Sequence, residues 1–222
     1  MLDKIYYYLY RLTSKSKRGG NYSGGHWADK VRQETLELCR GLSGRILEVG
    51  CGEGLFLAEL AVQSPGLEIW GIDKSELRLK EAGERFNEKN LKNINLRLQD
   101  ATDLHFEDGY FDAVVCINVF FNMPSIDQIK QSLAQIRRIC KKSGIIIFDI
   151  RNRANLLLAL KYMLAPIYDN TVKNLPLKTY GFNQIKDILK DSGFSIVKER
   201  FIGLPMNRFA PIIIIEAEKN AD

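Results

Sequence analysis

The sequence contains few of the residues from which metal and disulfide sites are built. Among its 222 residues are two histidines and four cysteines, and the cysteines are scattered, with no Cys-x-x-Cys pair. Zinc proteins and disulfide-framework proteins depend on closely spaced ligands or paired cysteines. We therefore expect four reduced, partly buried thiols and no bound metal.

Long apolar runs are also missing. No run approaches the roughly 18 residues of a membrane-spanning helix, and the N-terminus lacks the pattern of a signal peptide, so we expect a cytoplasmic location. The composition, with 45% hydrophobic and 27% charged residues, is ordinary for a globular protein. The length is sufficient for one large α/β domain but not for two.

The charge of the chain is concentrated at its N-terminal end. Of the net charge of +5, most lies in the first twenty residues, where five basic residues accompany one acid. Residues 2–12 place apolar and aromatic side chains on one helical face. Two interpretations remain open: a helix that covers its own domain, or peripheral membrane contact through residues 1–18. A glycine-rich linker follows, so we divide the chain into an extension, 1–25, and a domain, 26–222.

The most informative stretch runs from Arg45 to Asp73 and predicts a strand, a glycine turn, a helix and a second strand. The buried strand ends in Gly50, Gly52 and Gly54, which allow positive φ angles and close approach of a ligand to the backbone. The predicted helix covers 55–63 and the second strand 67–72. Asp73 then stands where doubly wound folds bind ribose hydroxyls.

The glycine spacing argues against a dinucleotide. A G-x-G-x-x-G fingerprint counted from Gly50 requires a third glycine where Leu55 stands. Glu48 precedes the glycines, and a carboxylate at the end of that strand suits a ligand with an ammonium group and repels a phosphate.

From Glu48 to Gly54, and in the acids that follow, the sequence resembles the class I S-adenosylmethionine (SAM)-dependent methyltransferases over about residues 26–218. The resemblance implies a doubly wound, mostly parallel seven-stranded sheet with an antiparallel last strand and helices on both faces. It also implies SAM as cofactor and S-adenosylhomocysteine as product. The cofactor contacts that we predict are Glu48, Gly50, Cys51, Gly52, Gly54, Asp73, Lys74, Asp100, Ala101 and Ile117. For Asp100, the resemblance implies a bond to adenine, and the alternative is a simple turn cap.

The later elements follow from periodicity and from stop signals. We predict helices at 26–39, 76–87, 126–141 and 183–192, and strands at 94–98, 111–117, 145–150, 194–202 and 212–218, with 94–98 near an edge. The last two strands must pair antiparallel because no helix separates them. An apolar insertion at about 151–181 predicts a lid or substrate wall, or else a helix packed only for stability.

In the resembled family, the residues after the fourth strand face the substrate, and many members carry a histidine there. Here Asn118 and Asn122 occupy those places, which weakens the case for a histidine base. The catalytic candidates are His26 and Asn122. The candidates for substrate binding are Asn118, Phe121, Arg151, Tyr162 and Tyr180. Trp27 is expected either to contact the cofactor or to anchor its helix, and His105 to be solvated.

These features predict in-line methyl transfer to a small apolar or aromatic acceptor, a reaction that depends on positioning and needs no metal. Two alternatives remain: a non-catalytic SAM-binding partner subunit and an RNA methyltransferase. A nucleic-acid partner is not expected, because the body of the domain is nearly neutral. We expect a monomer or a homodimer.

Overall fold

The computed structural model describes residues 26–168 and 177–221; the predicted extension lies outside them. The described helices are α1 His26–Cys39, α2 Leu55–Gln63, α3 Glu76–Glu88, α4 Ile126–Ile139, α5 Leu156–Tyr168 and α6 Phe182–Asp191, with a 3-10 turn at Phe120–Asn122. The described strands are β1 Arg45–Val49, β2 Glu68–Asp73, β3 Ile94–Leu98, β4 Phe111–Cys116, β5 Cys140–Arg151, β6 Phe194–Ile202 and β7 Ile212–Lys219.

The strands form one sheet in the order β3-β2-β1-β4-β5-β7-β6. Strands β1 to β5 pair in parallel, and β7 is antiparallel to both β5 and β6. The predicted fold class is thereby confirmed, including β3 at an edge. Because β6 runs in the same direction as β5, the loop between β6 and β7 lies at the carboxyl edge of the parallel strands.

The sheet is buried on both faces, as expected for central parallel strands. Successive side chains of β1 point to opposite sides: Leu47 and Val49 join one core cluster and Ile46 joins the other. In β4, Val114 and Val115 divide in the same way. The continuous apolar runs in the sequence reflect these two cores.

The predicted boundary between α4 and β5 is wrong. The helix ends at Ile139 rather than at residue 141, and β5 begins at Cys140 rather than at residue 145. Cys140 is already extended, with φ −72° and ψ 138°, and it pairs with Phe111. Lys141 and Lys142, residues typical of a helix end, therefore lie in a strand. The other predicted boundaries differ by at most one residue.

Helix α2 is buried over most of its surface. Six of its nine residues are buried: Leu55, Phe56, Leu57, Ala58, Leu60 and Ala61. Its neighbours are α1, α3 and the sheet, so it is enclosed from several sides. Because α2 follows the glycine turn, this burial fixes the position of the turn.

The predicted insertion contains helix α5, and residues 169–176 of it lie outside the described part. Leu158 is fully buried, whereas Leu156 is 82% exposed, so α5 turns only part of its apolar surface toward the domain. Within the described ranges, no helix is long and apolar enough to cross a bilayer.

Candidate active site

The glycine turn after β1 has the predicted backbone. The φ angles of Gly50, Gly52 and Gly54 are 74°, 53° and 73°. A Cβ added to Gly50 would lie 2.5 Å from a methyl group of Val119, and one added to Gly54 would lie 2.5 Å from the Phe86 ring. At these two positions glycine is required by neighbouring side chains as well as by φ.

Asp73 connects the glycine turn to the end of β2. Its Oδ2 accepts a hydrogen bond from the Gly52 N–H at 2.9 Å, and its Oδ1 accepts one from the Ser75 N–H at 2.9 Å. A carboxylate oxygen can accept more than one hydrogen bond, so both oxygens can still receive ribose hydroxyls. The sequence reasoning missed the role of Asp73 in fixing the turn, and the ribose contact stays a prediction.

Glu48 is a buried carboxyl group beside this turn. It is 3% exposed, and its Oε2 has no hydrogen-bond partner among the described residues. Burial raises the pKa of Glu48 well above its usual value, the charge of Asp73 raises it further, and the charge of Arg32 opposes both. An unpartnered buried carboxyl group is costly. The ammonium group of SAM would satisfy it, so the residues present fit this cofactor.

Arg32 of α1, which the sequence reasoning missed, places a cation near Glu48. It is 5% exposed and forms an ion pair with Asp29. Its Nε lies 3.3 Å from a carboxylate oxygen of Glu59. Arg32 and Glu48 are sixteen positions apart, and only the packing of α1 beside the turn brings their charges together, so no local pattern indicates the interaction.

Asp100 caps its own turn, which is the alternative considered for it. Its Oδ1 accepts hydrogen bonds from the Thr102 N–H at 2.8 Å and the Thr102 hydroxyl at 2.6 Å. These bonds, together with the charge of Lys74, lower the pKa of Asp100. Asp100 and Lys74 are exposed, Ala101 is half-buried and Ile117 is buried. The adenine contact stays a prediction.

A buried ion pair at the carboxyl end of β5 is hydrogen-bonded to Asn118, which follows β4. Asp149 and Arg151 are 0% and 5% exposed and form a salt bridge. Asp149 also accepts a hydrogen bond from the Asn118 N–H, and Arg151 donates to the Asn118 side-chain oxygen at 2.7 Å. Asn118 has φ 59°, and this network holds it in that left-handed conformation. The sequence reasoning missed Asp149, although an acid within an apolar strand is a usable signal.

Aromatic side chains surround this ion pair. The Arg151 guanidinium lies 4.2 Å from the centroid of the Phe121 ring. Burial raises the pKa of Tyr162, while the charge of Arg151 and a hydrogen bond from it oppose the shift. The Tyr180 hydroxyl donates to the Phe120 carbonyl at 3.1 Å, so its phenol is used inside the core. The structure thus brings Phe121, Arg151 and Tyr162 together and places Tyr180 beside them.

Asn122 offers an unused hydrogen-bond acceptor next to this cluster. Its Nδ2 donates to the Asn118 carbonyl at 3.2 Å. Its Oδ1 is buried and has no partner among the described residues. This is the second unpartnered buried oxygen of the candidate site, after that of Glu48. An acceptor molecule with an N–H or O–H group would satisfy it.

Among the described side chains, no histidine lies in this cluster. His105 is exposed and lies 3.2 Å from a carboxylate oxygen of Asp103, as expected for a solvated residue. The side chain of His26 lies outside the described part, so its catalytic role stays a prediction. Trp27 is half-buried against the core, with the Lys161 ammonium 4.1 Å from its ring centroid.

All four cysteines are free and buried, as predicted for reduced thiols. Burial raises the pKa of Cys51, in the glycine turn, and that of Cys116, at the carboxyl end of β4, well above the usual value. A thiol with such a pKa is a poor nucleophile at neutral pH. Chemistry at this site is therefore expected to involve the oxygen and nitrogen groups rather than a cysteine.

A groove of about 930 Å³ lies at the amino edge of the sheet. Its lining includes Lys130, Lys142 and Lys190, together with Gly193, which immediately precedes β6. The glycine turn lies at the opposite edge, after β1. The groove is therefore separate from the candidate active site.

The strand order reverses between β1 and β4, and the glycine turn lies at the carboxyl end of β1. This is the place at which open α/β sheets bind their ligands. Together with the antiparallel β7, this is the architecture of seven-stranded, Rossmann-like methyltransferase domains.

Comparisons with known proteins agree with this class. Residues 46–144 match the family model described as "Methyltransferase domain". The chain is 32% identical over 128 residues to a phosphatidylethanolamine N-methyltransferase of Cereibacter sphaeroides, covering 57% of this chain and 60% of that protein. It is 32% identical over 117 residues to a demethylmenaquinone methyltransferase of Listeria innocua, covering 52% and 48%. The matches thus span about half to three fifths of these relatives' lengths.

Solved structures share the whole fold. A magnesium protoporphyrin IX methyltransferase from Synechocystis with bound S-adenosylhomocysteine superposes with a TM-score of 0.70 at 18% identity, covering 98% of this chain and 94% of that one. A SAM-dependent methyltransferase from Clostridium acetobutylicum superposes with a TM-score of 0.68 at 18% identity, with 99% of both chains covered. The family match covers residues 46–144, and nearly the whole chain shares the fold of these solved methyltransferase structures.

Proposed function

We propose that this protein transfers the methyl group of SAM to a small acceptor with a large apolar or aromatic part. The observation that carries the proposal is the pair of unpartnered buried oxygens, Glu48 Oε2 on the cofactor side and Asn122 Oδ1 on the acceptor side. Each suits a hydrogen-bond donor that the described protein does not supply, and the two flank the carboxyl ends of neighbouring strands, β1 and β4.

The residues of the cofactor side bind and orient. Glu48 would receive the ammonium group, the turn held by Asp73 would lie against the amino-acid part, and Asp73 and Asp100 would take the ribose and the adenine. Bound SAM supplies a methyl carbon that its positive sulfur already activates. The contribution of the protein is alignment of the acceptor in a site that excludes water.

The residues of the acceptor side favour an uncharged group. Asp149 and Arg151 neutralise each other, and Phe121 and Tyr162 lie beside them. We call these four residues the acceptor wall. Such a wall binds apolar or aromatic surface better than a highly charged molecule. Asn122 Oδ1 would accept the hydrogen bond of an attacking amine or hydroxyl group and orient its lone pair, without serving as a strong base.

The named substrates of similar proteins support the same acceptor chemistry. The relatives and the structural neighbour are named for a phospholipid, a quinone and a porphyrin, each of which has an extended apolar or aromatic part. The basic groove gives no support to RNA as acceptor, because it opens at the edge of the sheet opposite the glycine turn.

A non-methyltransferase reaction is the competing proposal. One protein of this fold, with a TM-score of 0.69 at 18% identity, is named as a [4+2]-cyclase. The fold is therefore compatible with other chemistry, and turnover must be measured directly.

The test is transfer of labelled methyl groups from SAM to panels of phenols, amines, carboxylic acids and detergent-solubilised quinones. We expect turnover with apolar or aromatic acceptors. We also expect Asn122→Ala to lower kcat about tenfold or more, the effect of losing one positioned hydrogen bond, while SAM affinity stays unchanged. The matched control is Asn87→Ala, on the exposed surface of α3.

Two results would contradict the proposal. One is turnover confined to highly polar acceptors. The other is tight SAM binding with no methyl transfer to any panel or to a cell extract, which would favour the non-catalytic alternative.

A further inference from the structure

Helix α5 and the loop between β6 and β7 carry large apolar side chains on their surface. We call this surface the apolar rim. Its members are between 44% and 82% exposed: Leu156, Leu157, Leu160, Met163, Leu204, Met206 and Phe209. Scattered exposed apolar residues are normal, whereas a contiguous group marks an interaction site.

The helical half of the rim is a single face. Positions 156, 157, 160 and 163 follow the i, i+1, i+4, i+7 spacing, which places their side chains on one side of a helix. Leu158 points away from them and is fully buried against the domain. The exposed leucines are therefore surplus to the packing of α5.

Two buried asparagines hold the two halves of the rim together. Asn155 donates to the Phe209 carbonyl at 2.8 Å and to the Leu204 carbonyl at 3.4 Å. Asn152 donates to the Arg208 carbonyl at 2.8 Å. The start of α5 is thus bonded to the backbone of the loop, and the rim is one continuous surface.

The rim lies on the same edge of the sheet as the candidate active site. Helix α5 follows the carboxyl end of β5, and the loop joins the carboxyl end of β6 to β7. Asn152 immediately follows Arg151 of the acceptor wall. Whatever covers the rim will therefore lie next to the opening through which an acceptor must enter.

The charges of the rim have one sign. The sequence contains no aspartate or glutamate at positions 151–168 or 203–211. Arg153 and Arg208 are exposed, and the Arg208 guanidinium lies 4.9 Å from the Phe209 ring centroid. Lys161, on α5, places its ammonium 4.1 Å from the centroid of the Trp27 ring. Apolar side chains bordered by cations are complementary to an anionic lipid surface.

The positive charge of the rim favours an anionic bilayer over the chain's own N-terminal segment as its occupant. Residues 2–12 are predicted to have one apolar helical face, but residues 2–18 carry five cations and a single acid. Covering the rim with that segment would bring cations against cations. An anionic membrane attracts both the rim and the N-terminal segment.

We propose that the apolar rim docks this protein on the surface of an anionic lipid bilayer, with the carboxyl edge of the sheet facing the lipid. The rim inserts its leucines, methionines and Phe209 to the depth of the headgroups, and Arg153 and Arg208 contact anionic headgroups. This docking does not depend on methyl transfer, and it would give the candidate site access to acceptors dissolved in the membrane.

The experiment is co-sedimentation of the full chain with vesicles of phosphatidylcholine alone or mixed with phosphatidylglycerol. We expect binding to the anionic vesicles, weakened by salt. We expect the triple variant Leu160→Ser, Met206→Ser, Phe209→Ser to lower the partition coefficient about tenfold or more, because three apolar insertions are lost. The matched control, Val62→Ser with Val197→Ser, changes side chains that are 66% and 56% exposed elsewhere and should bind as wild type.

Calorimetric titration with SAM, without vesicles, separates this proposal from the proposed function. A triple variant that binds SAM normally but not vesicles supports docking through the rim. The proposal is overturned if the triple variant binds vesicles as well as wild type does. It is also overturned if deletion of residues 1–18 abolishes vesicle binding while the triple variant still binds. If the triple variant does not fold, Arg208→Glu tests the same surface and should weaken binding to anionic vesicles only; unchanged binding overturns the proposal.

Discussion

Asp73→Asn tests how the stability of the glycine turn and the affinity for the cofactor depend on one carboxylate. In the structure the two oxygens of Asp73 accept hydrogen bonds from the Gly52 and Ser75 N–H groups, each at 2.9 Å. The amide of asparagine keeps one acceptor and places an NH₂ group against the other N–H. One charge-assisted hydrogen bond is lost within the turn, and the bonds predicted to the ribose are weakened.

The size of the effect follows from hydrogen bonds to a charged group. Such bonds contribute about 1.5–3 kcal/mol, so losing the ribose contact predicts SAM affinity lowered roughly 10- to 150-fold. The free energy of unfolding should also decrease, because a backbone N–H is left without its acceptor. Both quantities are measurable on the same sample, by calorimetric titration with SAM and by urea unfolding.

Asp112→Asn is the matched control. Its carboxylate accepts hydrogen bonds from the Arg45 N–H at 2.8 Å and the Lys141 ammonium at 2.7 Å, at the amino edge of the sheet. This variant should lose stability and keep SAM affinity. The reasoning is refuted if Asp73→Asn binds SAM within about threefold of wild type, or if the two variants weaken binding equally.

Two further predictions concern the same region. The raised pKa of Glu48 keeps its carboxyl group protonated to higher pH in the free protein, whereas a bound ammonium group favours the carboxylate. Binding of SAM should therefore release a proton, and because it does, SAM affinity should rise with pH. Titrations at several pH values should show this rise for wild type but not for Glu48→Gln, nor for methylthioadenosine, which lacks the ammonium group. Gly54→Ala should lower the free energy of unfolding, measured by urea unfolding, by about 2–4 kcal/mol, because the new Cβ is strained at positive φ and clashes with the Phe86 ring. Gly66→Ala, whose Cβ meets open space, should change it by less than about 0.5 kcal/mol, and equal losses in the two variants would contradict the packing argument.

The glycine turn was predictable because its signals are local. An apolar strand that ends in alternate glycines specifies backbone conformation within a few residues, and the observed φ angles agree. Whereas the rest of the seven-stranded sheet was expected from the resemblance to methyltransferases, the antiparallel pairing of β6 with β7 follows from the absence of a helix between them. These parts of the fold need no knowledge of distant contacts.

The charge partners within the site were not predictable, because they depend on packing between distant segments. Arg32 approaches Glu48 only after α1 lies beside the turn, and Asp149 meets Asn118 only when β4 and β5 pair. The early start of β5 has a similar cause: the pairing of Cys140 with Phe111 overrides lysines that locally indicate a helix end.

The bonds from Asn152 and Asn155 to the loop between β6 and β7 all end on carbonyl groups of the main chain. A main-chain carbonyl is present whatever residue carries it. The side chains of this loop can therefore be exchanged through evolution or by engineering while its anchorage persists. Related domains with different acceptors could share this scaffold and differ mainly in the residues mounted on it.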